Sequence, residues 1–301
     1  MKRSVWPYVL LTLAPLFWSG NVVLARAVRG DIAPMALIVW RWTIALAILL
    51  PLTGAELWRQ RRALRAHWRI LGVLGFLGTF LYQALSYQAL TATTALNALL
   101  ITATAPLLTA LLHWLVYRET ITRRLGVAIC LSLVGVGIVI SRGDVQLLLG
   151  LRLNPGDLLM LAATLVWAGY CILLERYRPA GVSSTGLVSV LALVGLVFAL
   201  PVYLWQSGGG VGFTMVWPNI LTLLYMGVFA SVLGYLCWNE GVRRGGANLA
   251  GLFYNLLPVF GVGLAIVFLG EDFTLYHGIG AALVFGGIVL GTHAHHNSGS
   301  A

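Results

Sequence analysis

The feature that most constrains this chain is a series of uninterrupted apolar runs of about twenty residues, which recur along its whole length. An α-helix of this length crosses the hydrocarbon core of a bilayer. A transmembrane barrel would instead show segments of about ten residues with alternating polarity. Only 9% of the residues are charged, whereas a soluble domain needs about a quarter to cover its surface. We therefore predict an all-α, polytopic membrane protein whose solvent is the lipid bilayer.

Glycine, proline and charged residues divide the apolar runs into ten predicted transmembrane helices. Several connections between them are very short, so neighbouring helices should form antiparallel hairpins. The predicted spans are residues 6–27, 33–53, 69–90, 93–116, 122–141, 156–176, 184–204, 217–239, 246–269 and 273–292.

The distribution of basic residues predicts how these helices are oriented. Fourteen of the 19 Lys and Arg residues fall in one set of alternate connections. The other set has four, which are Arg26, Arg29, Arg142 and Arg152. Because cytoplasmic connections carry the excess of Lys and Arg, both termini should be cytoplasmic. We therefore attribute the net charge of +10 to residues that orient the chain in the membrane, and we expect no nucleic-acid partner.

The sequence lacks the signatures of a metal site or of an intramembrane enzyme. There is no His-Glu-x-x-His pair and no cluster of acidic residues at mid-membrane depth. The three cysteines lie in separate apolar runs, without pairing or metal-ligand spacing, at Cys130, Cys171 and Cys237. We therefore expect three reduced thiols, no catalytic residue, no metal and no cofactor.

The sequence also contains an internal repeat. A shift of 152 residues superposes a Pro, a Glu and two Gly residues of the first half on the same residue types in the second, and a shift of 149 residues superposes two tryptophans. The pairs are Pro106 with Pro258, Glu119 with Glu271, Gly126 with Gly278, Gly135 with Gly287 and Trp18 with Trp167. Since each half has five spans, an odd number, the second half should be inverted relative to the first. Inverted repeats are typical of secondary transporters, whose substrate site lies between the halves near the bilayer midplane.

The repeated Pro, Glu and Gly residues resemble those of tandem EamA domains in the drug/metabolite transporter superfamily. So do Pro34 and Arg41 in the second span and, in the first, the stretch Trp18-Ser19-Gly20-Asn21. The resemblance covers residues 8–292 and is greatest to YddG-type aromatic amino acid exporters. It implies ten helices, a central cavity between the halves, and export of a small molecule across the bacterial inner membrane. The second half departs from the pattern because its second span has no counterpart of Arg41.

This resemblance divides the chain into two EamA-type repeats. We predict the first repeat at residues 1–142, a linker at 143–155, the second, inverted repeat at 156–292 and a polar C-terminal tail at 293–301. A chain that holds both repeats can form the central cavity without a partner, so we expect a monomer.

Aromatic and polar residues at mid-membrane depth are the candidate substrate-binding residues. Aromatic faces beside amide and hydroxyl groups suit a flat, amphipathic solute, whereas the alternative for each residue is helix packing with a local hydrogen bond. Arg41 would meet a substrate carboxylate or a gating partner; the alternatives are a structural tether and a side chain that snorkels outward. The candidates are Trp18, Asn21, Arg41, Tyr82, Ser86, Trp167, Tyr170, Tyr225, Tyr254 and Asn255.

Pro106 lies inside the fourth predicted span and Pro258 inside the ninth. Each removes a backbone donor and frees the carbonyl group four residues earlier, at Thr102 and Tyr254, so both helices should bend. Because the prolines occupy equivalent positions in the two halves, they are candidate hinges for transport. The alternative is a pair of static kinks.

Together these features favour a secondary transporter that exports a small amphipathic metabolite, an aromatic or other neutral amino acid, by alternating access through the cavity. No carboxylate lies securely at mid-depth, so proton coupling is not evident. The alternatives are an exporter of another metabolite or drug-like solute, and a passive channel, whose pore should show a regular ring of one chemistry.

Overall fold

The computed structural model describes residues 5–28, 30–93, 95–118, 121–150, 154–208, 210–269 and 274–298. Within these ranges the regular elements are helical, apart from one β-bridge between Ile32 and Phe213. The α-helices are α1 (Trp6–Ala27), α2 (Pro34–Arg59), α3 (Arg61–Ala66), α4 (Trp68–Gly75), α5 (Tyr82–Ala92), α6 (Ala95–Thr102), α7 (Ala105–Leu112), α8 (Arg123–Ile140), α9 (Val145–Leu149), α10 (Pro155–Tyr177), α11 (Ser184–Ser207), α12 (Trp217–Tyr225), α13 (Gly234–Tyr254), α14 (Leu256–Leu269) and α15 (Leu275–Ser298). The all-α prediction is confirmed for the described residues.

Three short π-helical segments continue these helices without a break in direction. The segments are π1 (Phe76–Leu81) between α4 and α5, π2 (His113–Tyr117) after α7, and π3 (Met226–Leu233) between α12 and α13. A π-turn pairs residues five apart and so changes which backbone carbonyls and which side chains face a neighbour.

Nine helical stretches of the described chain are long and apolar enough to cross a membrane, so the protein is a multi-pass membrane protein. They are Trp6–Ala25, Pro34–Arg59, Trp68–Ala92, Asn97–Tyr117, Arg123–Ile140, Pro155–Tyr177, Ser184–Ser207, Trp217–Tyr254 and Leu275–Thr292.

The predicted eighth and ninth spans fall in the stretch Trp217–Tyr254 and in α14, which has 14 residues. The backbone leaves helical geometry at Gly246, with φ 79° and ψ 161°. This left-handed φ, which favours glycine, divides α13 at the boundary predicted between those two spans. At the C-terminal end of the chain, α15 continues to Ser298, into the segment predicted as a polar tail.

The start of α10 is fixed by a capping box between Asn154 and Asp157, with Pro155 at the first helical position. Asp157 is 2% exposed, and its carboxylate also accepts hydrogen bonds from Thr93 and from Asn97 Nδ2, the latter at 2.9 Å. These bonds connect the N-terminus of α10 to the junction of α5 and α6. They set the depth of α10, which carries Trp167.

The helices α2 and α11 pack in matching ways against the π-segments of the opposite half. A Cβ atom on Gly227 in π3 would lie 2.7 Å from the Cβ of Ile44, and one on Gly75 beside π1 would lie 2.6 Å from the Cβ of Val194. Only glycine permits these two approaches. The same type of contact between the halves therefore occurs twice, with the roles of the two halves exchanged.

The helices α8 and α15 form a second reciprocal contact. A Cβ atom on Gly135 would lie 2.6 Å from the carbonyl oxygen of Gly280, and one on Gly287 would lie 2.7 Å from the carbonyl oxygen of Ala128. As the residue number rises along α8, that of its partner falls along α15. The two helices therefore run antiparallel at close approach.

Candidate functional site

A cavity lies among helices from both halves of the chain. About 850 Å³ of empty space lies between its walls when the open mouth is counted, and the space inside it that the centres of water-sized molecules can occupy is about 90 Å³. Its walls are mostly apolar and aromatic, and the lining side chains include one cation and no Asp or Glu. The lining residues are Trp18, Asn21, Val22, Arg41, Tyr82, Gln83, Ser86, Tyr87, Leu90, Ala98, Leu99, Thr102, Met160, Trp167, Tyr235, Tyr254 and Leu257.

Seven of the predicted binding residues line this cavity together. They come from α1, α2, α5, α10 and α13, which are distant in sequence. The seven are Trp18, Asn21, Arg41, Tyr82, Ser86, Trp167 and Tyr254.

The other three predicted binding residues do not line the cavity. Tyr170 is fully buried behind it and donates to Asn239 Oδ1 at 2.5 Å. Tyr225 donates to the carbonyl oxygen of Phe17 at 3.0 Å, which makes it a contact between α12 and α1. Asn255 is fully buried at the junction of α13 and α14. Tyr170 and Tyr225 are therefore in positions of helix-packing residues, whereas neither amide atom of Asn255 has a hydrogen-bond partner among the described residues.

Arg41 is 3% exposed and is held by neutral groups. Its Nε donates to Ser231 Oγ at 2.8 Å, and its Nη1 donates to Tyr87 Oη at 2.7 Å and to Asn21 Oδ1 at 3.3 Å. In the described part of the chain, no carboxylate forms an ion pair with Arg41. A buried cation without a counter-charge is costly. The cavity therefore presents a fixed positive charge to whatever enters it.

An aromatic cluster forms the floor of the cavity, and Trp167 is at its centre. The Trp167 ring lies 4.8 Å from the Tyr82 ring, 5.3 Å from Trp18, 5.5 Å from Trp238 and 5.8 Å from Tyr254, measured between centroids. Such distances are those of attractive aromatic pairs. The cluster closes the cavity toward the end of the bundle where α1 begins and α10 ends.

Two hydrogen bonds across the cavity floor join the halves. Tyr82 Oη and Tyr254 Oη lie 2.7 Å apart. Trp18 Nε1 donates to the carbonyl oxygen of Ala230 in π3 at 2.9 Å. The floor is therefore formed by both repeats.

A cluster of ionic contacts lies beyond this floor, at the closed end of the bundle. The Glu240 carboxylate accepts from Ser184 Oγ at 2.8 Å and from Arg244 Nε at 2.6 Å. It also pairs with Arg243, and Arg178 Nη1 lies 3.8 Å away. These contacts connect the α10–α11 connection to α13, within the second half of the chain.

The fourth predicted span is interrupted at Ala103 and Thr104, just before Pro106, and the chain turns at Asn255, just before Pro258. The helix is thus interrupted just before the proline in both halves. Thr102 and Tyr254, whose carbonyl groups the prolines free, both line the cavity. The two broken helices also meet, because a Cβ atom on Gly251 would lie 3.1 Å from Pro106 Cα.

Sequence reasoning missed several residues of the site. Gln83, Tyr87 and Tyr235 line the cavity, and Trp238 is fully buried in the floor cluster. Gln83, Ser86 and Tyr87 are spaced so that they share one helical face with Tyr82. This spacing could have identified Gln83 and Tyr87 as cavity residues from the sequence.

The pair Glu119 and Glu271 lies outside the described residues. No group of three potential metal ligands occurs among the residues that were placed.

The chain is similar to known transporters over nearly its whole length. A family model described as the EamA-like transporter family matches residues 5–141 and 154–292. YyaM of Bacillus subtilis (strain 168), an uncharacterized transporter, is 31% identical over 94% of this chain and 92% of its own length. An uncharacterized transporter of Archaeoglobus fulgidus is 27% identical over 96% of this chain and 98% of its own. A solved crystal structure with a TM-score of 0.76 and 22% identity covers 97% of this chain and 98% of its own, and indicates the fold alone.

Proposed function

Since this chain belongs to the EamA-like transporter family of the drug/metabolite transporter superfamily, we propose that it exports aromatic or other neutral amino acids by alternating access. The family and the relatives named above are transporters, not enzymes. The observation that carries the proposal is the unpaired charge of Arg41 in the wall of an aromatic cavity between the halves. The assignment to YddG-type exporters is part of the same proposal.

Arg41 supports a substrate that carries a carboxylate. A guanidinium group presents several donors in a plane that matches a carboxylate. Arg41 uses Nε and Nη1 for protein contacts, and its Nη2 makes no hydrogen bond to a described residue. A carboxylate that enters the cavity would supply the missing counter-charge and a further acceptor. Arg41 is therefore assigned to bind it.

The aromatic floor supports a substrate with a flat or bulky apolar side chain. Trp18, Tyr82, Trp167 and Tyr254 present ring surfaces to the cavity, and apolar walls with a few fixed polar groups are typical of small-molecule sites. An amino acid with its carboxylate at Arg41 can place its side chain on this floor. The proposal therefore favours phenylalanine, tyrosine or tryptophan over small amino acids.

The reciprocal packing supports two inverted repeats and ten spans. A contact that repeats with its partners exchanged is what a two-fold axis produces, and the antiparallel approach of α8 and α15 puts that axis in the membrane plane. The break at Gly246 supports the proposal of a tenth span, formed by the end of α13 with α14. Both repeats lie in one chain, so a monomer suffices.

The basic connections support an outward-open state in the bacterial inner membrane. At the closed end lie α3, with Arg61 and Arg65, and the ionic cluster of Arg178 and Arg243. By the positive-inside rule this end is cytoplasmic, as are both termini. The cavity then faces the periplasm, which is the side to which an exporter releases its substrate.

Equilibrium binding by calorimetry in detergent micelles tests the substrate class. The ligands are L-phenylalanine, L-leucine and phenethylamine, which lacks the carboxylate. L-Phenylalanine should bind most tightly, and phenethylamine should bind at least about tenfold more weakly, because it cannot pair with Arg41. Equal affinity for phenylalanine and phenethylamine would contradict the carboxylate assignment, and binding of neither amino acid would contradict the substrate class.

We predict that Pro106→Ala and Pro258→Ala each slow transport several-fold while substrate affinity stays within a factor of about two. Alanine restores the missing backbone donor and allows a continuous helix, so the halves lose a place to bend. Exchange of labelled L-phenylalanine by proteoliposomes gives the rate. Pro201→Ala is the matched control, because Pro201 lies inside α11 on an exposed face, away from the cavity. Unchanged rates for both hinge variants would mean static kinks.

A further inference from the structure

Gln83 is buried in the cavity wall with only one end of its side-chain amide paired. The residue is 3% exposed and lines the cavity on α5. Its Nε2 donates to Tyr235 Oη at 3.1 Å, whereas Oε1 has no hydrogen-bond partner among the described residues. A buried acceptor without a partner is costly. Oε1 itself has almost no accessible surface, so a donor on a ligand in the cavity can reach it only when the surrounding side chains move.

The neighbouring hydroxyl group determines which way this amide points. Tyr235 has one hydroxyl proton, which it donates to the carbonyl oxygen of Gly78 at 2.5 Å. That carbonyl belongs to π1, where the helical pairing is altered. A hydroxyl that has donated its proton can only accept from a further neighbour, so the Gln83 atom facing Tyr235 must be the NH₂ group. The Oε1 atom therefore points away from Tyr235 and cannot be satisfied by it.

Gln83 also lies close to the fixed cation. Tyr87, which bonds Arg41 at 2.7 Å, is one turn further along the same face of α5, about 6 Å from Gln83 along the helix axis. Ser86 lies between them on the cavity wall. An α-amino acid carries its carboxylate and ammonium groups on one carbon atom. A ligand whose carboxylate meets Arg41 can therefore place its ammonium group near this face of α5.

We propose that Gln83 Oε1 accepts a hydrogen bond from the ammonium group of an α-amino acid whose carboxylate is bound by Arg41. This assignment rests on the proposed function and deepens it, because it makes the cavity select zwitterions over simple carboxylates. The described lining has no Asp or Glu to bind an ammonium group. A neutral amide oxygen supplies the acceptor without placing a further charge in the apolar wall.

The test compares two ligands that differ only in the ammonium group, L-phenylalanine and phenylpropionate, by calorimetry on the full chain. In the Gln83→Met variant the affinity for phenylalanine should fall about tenfold to a hundredfold, because a bond to a charged group is lost. The affinity for phenylpropionate should not change. Gln83→Asn, which withdraws the oxygen but keeps the amide, should show the same selective loss if the methionine variant does not fold. Gln88→Met is the matched control, since Gln88 is exposed on the same helix.

An equal loss of affinity for both ligands would overturn the assignment, because it would show that Gln83 only supports the wall. An unchanged affinity for phenylalanine would overturn it as well, and would indicate that Oε1 is met by a bound water molecule. Failure of the proposed function is distinguishable, since it would be seen in the wild-type protein as binding of neither ligand. That result would overturn both.

Discussion

The Arg41→Met variant is expected to lose binding of L-phenylalanine by a factor of about a hundred or more, because the ligand carboxylate is then left in an apolar cavity without a counter-charge. Methionine resembles the arginine stem in length and removes a buried charge, so the protein should remain folded. The Tyr87 hydroxyl keeps its bond to Asn21 Oδ1 at 3.3 Å. Calorimetry gives the affinity, and thermal unfolding in the same detergent gives the stability.

Two comparisons separate substrate binding by Arg41 from a structural role. Phenethylamine, which has no carboxylate, should bind the variant at least as well as the wild type. Arg41→Lys keeps the charge but loses the planar set of donors, so it should recover only part of the affinity for phenylalanine. Arg62→Met is the matched control, since Arg62 is exposed on α3. A structural tether would instead lower the unfolding temperature and weaken both ligands equally.

The Trp167→Ala variant is expected to show the largest loss of stability, about 3–5 kcal/mol in the free energy of unfolding. Trp167 is 2% exposed, and its ring contacts those of Trp18, Tyr82, Trp238 and Tyr254. Alanine would leave a cavity beneath the substrate site that the rigid neighbouring rings cannot fill. Thermal or denaturant unfolding in detergent measures the change.

The same variant should also bind L-phenylalanine more weakly, because the floor on which the ligand ring stacks is lost. Trp167→Phe, which keeps a ring, should retain most of the stability and part of the affinity. Trp205→Ala serves as control, since Trp205 is 83% exposed at the end of α11 and its loss should change neither quantity. Wild-type stability and affinity in Trp167→Ala would show that the aromatic floor has no role in either.

The sequence predicts the helices and part of the site because its strongest signals are physical. Apolar runs predict helices whose ends fall close to those observed, as for residues 156–176 and α10 (Pro155–Tyr177). A cation in such a run must face the interior, and Arg41 does. Trp18 and Trp167 occupy equivalent positions in the two repeats, and their rings pack against each other in one aromatic cluster.

Tyr225, which was predicted to bind substrate but does not line the cavity, and the missed residues Tyr235 and Trp238 lie next to features that the sequence does not reveal. Tyr225 and Tyr235 are on opposite sides of π3, whose wider turn alters the phase between them. As a result Tyr235 faces the cavity and Tyr225 faces α1. The predicted eighth span ends at residue 239, directly after Trp238, but the helix continues to Gly246 and Trp238 is fully buried. Helical periodicity of 3.6 residues cannot anticipate either change.

Counterflow in proteoliposomes tests the central claim most directly, namely that a single cavity carries amino acids by alternating access. Vesicles loaded with unlabelled L-phenylalanine are diluted into a trace of labelled L-phenylalanine at equal pH on both sides. A carrier should accumulate the label transiently, driven only by the substrate inside, and the Arg41→Met vesicles should not. Label that only equilibrates, at a rate unaffected by the internal substrate, would indicate a channel, and the absence of flux would contradict the proposed substrate.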